Sequence, residues 1–189
     1  MKKTVSSLMI LTASIAMAND LYMGLEYGMA GNTHKYTGSS NFNDNTQVDN
    51  DYGEFKIKLG YGKDADIKIQ TYFSLINYDE GVFDSSNEAL YEFGLELVKE
   101  FTFNKDFYPF VKGGAGVGFM DINGYSEAQA NEVSANIGLG LSYKLYEDVS
   151  LLGGVDFIYR RWSSVYENTQ QKNVQDDALK LYFGANYTF

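Results

Sequence analysis

The residues best equipped for chemistry are charged ones that recur two positions apart. Glu26, Glu54, Asp66, Glu92, Glu96 and Asp156 share one parity of alternating segments with Lys56, Lys58, Lys68, Lys112, Lys144, Arg160 and Lys180. Six acids against seven bases nearly cancel. Charges withdrawn from water persist only when paired and hydrogen-bonded. If the segments are strands, Glu26, Glu54, Lys56, Lys58, Lys68, Glu92, Glu96, Lys112, Lys144, Asp156 and Arg160 are expected to form an internal ion-pair network. The same charges around an open gap would make a narrow ion path.

Three other features carry chemistry of weaker specificity. His34 is the only histidine, with Thr33, Ser39 and Ser40 close in sequence. A hydrolase or acyltransferase would need such a base within hydrogen-bond reach of a nucleophile, and sequence proximity does not supply that geometry. A second set is acidic: Asp44, Asp49, Asp51, Asp79, Glu80, Asp84, Glu88, Asp121, Glu127, Glu132, Glu167, Asp176 and Asp177, opposed by Lys35 and Lys172. It serves solvation, or bridges through divalent cations such as calcium, which takes oxygen ligands at flexible sites. The glycine run from Gly113 to Gly118 lacks the helix and the Lys-Ser/Thr of a phosphate loop.

Strands must position these residues. Met23, Leu25, Tyr27 and Met29 alternate with Gly24, Glu26 and Gly28. The same period of two runs through Phe55–Tyr61, Ile67–Leu75, Tyr91–Leu97, Val111–Phe119, Val133–Leu145, Leu151–Tyr159 and Leu181–Phe189. Apolar side chains take one face of each, and Gly, Ser, Asn and charges take the other. That predicts eight strands. Three connections are short: Gly62–Ala65, Asn104–Asp106 and Tyr146–Val149. Four are long and polar: Gly31–Asn50, Asn77–Glu88, Asp121–Asn131 and Ser163–Asp176.

The remaining composition narrows the setting. Lys2 and Lys3, a short apolar run and Ala16-Met17-Ala18 predict a cleaved export signal over residues 1–18 and a single domain over 19–189. The apolar run is shorter than the roughly 20 residues of a spanning helix. With no cysteine, disulfides and thiolate metal sites are excluded. Without the two leader lysines, 13 basic side chains face 25 acidic ones, which argues against nucleic acid as a partner.

The two faces decide the solvent. In a soluble barrel the apolar face points inward. Here the polar face is crowded with glycine, which suits a narrow interior, and the apolar face suits lipid. Runs of about 9–11 residues span a bilayer as tilted strands, and closure leaves no unpaired edge. Short turns on one side and long loops on the other belong to outer-membrane barrels. With the N-terminus in the periplasm, Tyr61, Phe103, Tyr143, Tyr187 and Phe189 would gather at the inner interface. Tyr91, Phe119, Tyr159 and Trp162 would lie near the outer one, although Trp162 has inward parity and so could cap the lumen. Arg161, beside the outer belt, reads as a snorkelling residue or a contact for a lipid phosphate.

Tyr108-Pro109-Phe110-Val111-Lys112-Gly113-Gly114-Ala115-Gly116-Val117-Gly118-Phe119, Ile137–Leu145 and the closing Tyr187-Thr188-Phe189 carry a likeness to a known family. The chain from Leu21 to Phe189 resembles the small outer-membrane β-barrels of OmpA/OmpX-like and opacity-like type, often labelled porin-family proteins. The resemblance implies an all-β, eight-stranded antiparallel up-and-down transmembrane barrel in a Gram-negative outer membrane. It also implies that Tyr187 and Phe189 end a strand read by the barrel-insertion machinery. The sequence stops at Phe189 without the peptidoglycan-binding domain of full-length OmpA, so cell-wall anchoring does not follow.

The expected function is a non-enzymatic structural or surface-interaction role. The lumen would be plugged and the long loops would face outward, with no cofactor or metal. Expected partners are outer-membrane lipid, lipopolysaccharide and an extracellular ligand held by the loops; the protein is expected to be monomeric. Loop aromatics Tyr36, Phe42, Tyr78, Phe83, Tyr125 and Tyr166 would anchor such a ligand or pack the loops. The alternatives are a narrow porin-like channel and a lipid-modifying enzyme centred on His34.

Overall fold

The computed structural model describes residues 20–38, 46–64, 66–83, 89–123, 125–167 and 170–189. The expected leader at 1–18 lies outside them, as do Ser39, Ser40, Phe42, Asp44, Asp84 and Glu88. Ten antiparallel strands are present: β1 Leu21–Gly38, β2 Thr46–Asp49, β3 Tyr52–Tyr61, β4 Ile67–Tyr78, β5 Ala89–Glu100, β6 Phe107–Asp121, β7 Gln129–Lys144, β8 Val149–Trp162, β9 Val165–Glu167 and β10 Gln170–Thr188.

They make eight staves. β2 continues β3 against β1 in one register, with Thr33 facing Asp49 and Ala30 facing Tyr52. β9 continues β8 against β10 with a one-residue offset, since Arg161 faces Gln175 but Val165 faces Lys172. The offset flips parity, so Trp162 and Val165 are both buried. β1 pairs with β10 from Tyr22–Thr188 to Gly38–Lys172, which closes the sheet into a barrel and leaves no open edge in its wall.

Burial alternates along the wall as the sequence pattern requires. β1 reads buried at Tyr22, Gly24, Glu26, Gly28 and Ala30, and exposed at Met23, Leu25, Tyr27 and Met29. The exposed residues form an apolar belt on which Phe183, Leu181 and Ile137 are each about two-thirds exposed. In water that surface would be a severe liability; in hydrocarbon it is the solvated face.

Glycines on the inner face make room for rings. Tyr22, Tyr72, Phe110 and Tyr182 lie directly opposite Gly60, Gly94, Gly140 and Gly154 on the neighbouring strand. A Cβ on Gly94 would sit 2.2 Å from the Tyr72 ring, and one on Gly60 would sit 2.2 Å from Tyr22. Each aromatic lies flat across its glycine, filling the lumen without thickening the wall.

The strands outrun the expected boundaries on the outer side. β1 reaches Gly38 and β10 begins at Gln170, where long loops were expected from Gly31 and from Ser163 to Asp176. Above the belt polar side chains such as Lys35, Arg161 and Gln175 face outward while Trp162, Val165 and Val174 pack inward, so the two faces exchange polarity while the backbone ladder continues. The inner turns are short, and Gly62, in the first, takes a φ of 143°, which side-chain-bearing residues rarely adopt.

Candidate functional site

The lumen is layered. An apolar cluster of Val98, Phe110, Leu152 and Tyr182 lies at the end of the short turns. A larger one, including Ile76, Leu90, Met120, Val82, Phe83 and Trp162, fills the outer end. Charges occupy the space between. Alternation on β1, β3, β5, β6, β8 and β10 aims Glu26, Glu54, Lys56, Lys58, Glu92, Glu96, Lys112, Asp156, Arg160 and Lys180 inward, all buried.

Lys180 is the hub. Its Nζ lies 2.8 Å from Glu54, 3.3 Å from Glu26 and 3.3 Å from Asp156. Lys58 bridges to Glu26 at 3.1 Å, and Lys112 to Asp156 at 3.0 Å. Lys56 joins Glu96 at 3.2 Å and Glu54 at 3.4 Å, and its ammonium sits 4.0 Å from the centre of the Tyr72 ring. Neutral donors complete the carboxylates: Ser74 on Glu54, Gln70 and Asn136 on Glu96, and Tyr72 on Glu92. Arg160 donates through Nε to Glu92 at 3.0 Å and through Nη1 to the Tyr52 hydroxyl at 3.0 Å. Between Tyr22, Glu26, Lys58, Gln70, Lys112 and Tyr182 there is a cavity of about 20 Å³. That holds about one water.

Lys68 and Lys144 belong to a separate group at the short-turn rim. Asp64, in the turn before β4, bridges Lys68 at 3.0 Å and Lys144 at 3.0 Å, and Lys68 also meets Glu100 at 2.9 Å. Partial burial alone would raise the Asp64 pKa. Hydrogen bonds and charge from Lys144 and Lys68 outweigh it and hold the carboxyl below its ordinary value.

Three expectations about charge need correction. Asp66 is exposed and meets Lys99 at 3.7 Å, because it precedes β4 and so escapes the alternation. Glu132 and Asp176, expected on loop edges, are buried on β7 and β10, and Glu100 is buried too. Among the described residues the interior therefore holds eight buried acids against six buried bases, not a near-balance. No Lys, Arg or neutral donor among those residues meets either carboxyl oxygen of Glu132, which lies against the Glu92 carboxyl instead.

Asp176 is held by side chains other than Lys and Arg. His34 lies within β1, fully buried, rather than in a loop beyond it. Its Nδ1 sits 2.5 Å from Asp176 Oδ1, while Tyr78 and Trp162 donate to Oδ2 at 3.2 Å and 3.0 Å. His34 Nε2 faces the side-chain amides of Asn50 at 3.1 Å and Asn32 at 3.3 Å. Both imidazole nitrogens are thus engaged by Asp176 and two amides, and no serine or threonine hydroxyl is among these contacts. Trp162 is consequently a lumen cap and not part of the outer aromatic belt.

The rim above this cluster is fastened by main-chain contacts. Asn50 donates to the Glu80 carbonyl at 2.8 Å and accepts from the Glu80 N–H at 2.9 Å. Tyr36 donates to the Val82 carbonyl at 2.9 Å, and Tyr125 to that of Phe83 at 2.7 Å. Of the loop aromatics, Tyr78 and Phe83 are buried, Tyr36 and Tyr125 pack against the outer cluster, and Tyr166 is exposed. Sequence reasoning missed this cluster because His34, Asp176 and Tyr78 come from three distant segments beyond the alternating runs.

No family model matches the chain, and no curated protein matches it in sequence. Solved structures do. Neisserial surface protein A is similar over 89% of this chain and 97% of its own, with 18% identity and a TM-score of 0.61. The outer-membrane protein AlkL is similar over 91% and 92%, with 15% identity and a TM-score of 0.54. The outer-membrane protein OprG from Pseudomonas aeruginosa is similar over 91% and 97%, with 12% identity and a TM-score of 0.51. Identities this low speak to architecture. Together with the closed eight-stave wall, the apolar belt and the short inner turns, they establish that the chain has the fold of the small outer-membrane β-barrels, the likeness its sequence carries.

Proposed function

We propose that this protein is a non-enzymatic resident of the outer membrane, a closed barrel that offers its extracellular rim as the working surface. The observation that carries the reading is the packed lumen. Lys180 binds three carboxylates at its centre, apolar clusters fill both ends, and the cavity of about 20 Å³ has no room for a file of hydrated ions. His34 supports the non-enzymatic reading, since the amides of Asn32 and Asn50 face its Nε2 where a general base needs a nucleophile.

Planar-bilayer recording tests the proposal. Purified, folded protein should give no stable conductance steps above the bare membrane. Reproducible unitary steps from protein free of contaminating porins would replace the closed barrel with a narrow channel.

A further inference from the structure

We propose that the outward face where β8, β10 and β1 meet, just above the apolar belt, is a seat for the phosphate of an outer-leaflet phosphoglycolipid headgroup. The seat is built by strand register. Arg161 on β8 faces Gln175 on β10, and Gln175 faces Lys35 on β1. These three side chains form one outward row across three adjacent strands. Neighbouring strands lie about 4.8 Å apart, so the two cations flank Gln175 with their backbones about 10 Å apart. Long side chains from both sides reach the space over the amide between them.

That space is a groove of about 580 Å³, lined by Lys35, Arg161, Gln171, Asn173 and Gln175, with Trp162 at its inner edge. The polar residues of its upper side are already ordered. Ser164 donates to Asn173 at 2.6 Å, and Gln171 donates to Ser164 at 2.9 Å. A guanidinium, an ammonium and amide N–H groups around one opening form a donor set for a phosphate, which Arg engages in two-pronged fashion. Lys35 pairs with Asp177, one row lower. Arg161 is exposed, and among the described residues no carboxylate pairs with it. The groove therefore keeps a net positive end on a rim whose other charges, Asp49, Asp51, Asp79 and Glu80 among them, are mostly acidic.

Height selects the source of the phosphate. The row immediately below contains Tyr159, Asp177 and Thr33. Beneath it run Leu179 and Leu181, each about three-fifths exposed or more on the lipid face. A phosphate in the groove thus sits at headgroup level, with acyl chains able to lie along these leucines. A soluble phosphate would gain nothing from that apolar track. The inference rests on the membrane-resident reading above and adds a ligand to it.

The test uses the full barrel folded in a phosphate-free nonionic detergent. Binding is read by isothermal titration calorimetry, since Trp162, the only tryptophan, is buried in the lumen. A diphosphorylated lipid A-type glycolipid should bind saturably. Its dephosphorylated form should bind at least about tenfold more weakly, and Arg161→Gln should weaken the phosphorylated form by a similar factor. Asp51→Asn, outside the groove, should leave binding unchanged. Equal binding of the two lipids, or no effect of Arg161→Gln in a barrel that still shows the folded gel band, would overturn the seat while leaving the closed barrel standing. Inorganic phosphate that binds as tightly as the lipid would overturn the headgroup assignment. Conductance steps with lipid binding intact would sink the closed lumen and spare the seat.

Discussion

At the scale of single residues, Lys180 decides how the interior is held. Glu26, Glu54 and Asp156 all direct an oxygen to its ammonium. Removing one partner from a buried ion pair leaves uncompensated charge and costs about 3–5 kcal/mol. Lys180→Met should therefore destabilise the folded barrel by about that amount in urea titrations in lipid vesicles. A loss below about 1 kcal/mol, the range of exposed pairs, would show that the network is not structural. Glu132 is the counter-example inside the same lumen, a buried carboxyl that lies against Glu92 and meets no cation or neutral donor among the described residues. Parity in the sequence aims Glu26, Glu54 and Lys180 inward, but it misplaces exposed Asp66 and leaves buried Glu132 and Asp176 on loop edges. It could not show that Asp176 meets His34, since pairing across 142 positions depends on how the staves are brought round.

At the scale of elements, the staves depend on aromatic–glycine pairs and on one rim bridge. Tyr72 lies over Gly94, whose missing Cβ leaves the ring its place. Gly94→Ala forces that contact apart and should cost about 1–3 kcal/mol, as overpacking does. Chemical unfolding checks this, and an unchanged midpoint would show that the ring moves freely. The Asp64 bridge ties the β3–β4 turn to the end of β7 through Lys144. Its folded pKa lies below its unfolded value, so its stabilisation is complete above the ordinary carboxylate pKa and is lost as pH falls through the depressed folded value. Asp64→Asn should lower stability at neutral pH and converge with the parent protein in strong acid. Parallel stability curves for the two proteins from neutral to acid pH would rule the bridge out as a source. Strand identity was legible throughout the belt, where lipid outside and charge inside enforce alternation. Strand ends were not, because above the belt the outer face meets water and the inner face packs Trp162, Val165 and Val174, which breaks the apolar-out pattern of the belt.

At the scale of the whole molecule, closure comes last in the chain and holds much of the rest in place. The seam joins the first stave to the final one, and Lys180 on β10 reaches Glu26 on β1 across it. An unclosed sheet would leave these charges and a row of backbone groups in hydrocarbon, where each costs several kcal/mol. Refolding into vesicles should therefore be all-or-none. The emission change of Trp162 and the compact, heat-modifiable gel band should appear at one rate. A Trp162 signal that is complete well before the band forms would reveal a stable open sheet and contradict this coupling.

The contacts that fasten the rim have a consequence for how the exposed surface can change over generations. Asn50, Tyr36 and Tyr125 grip the carbonyls and N–H of residues 80, 82 and 83, not the tips of their side chains. Every amino acid except proline offers the same handholds. At Glu80, whose side chain takes no part in these bonds, antibodies or phages could drive one replacement after another while the loop kept its path.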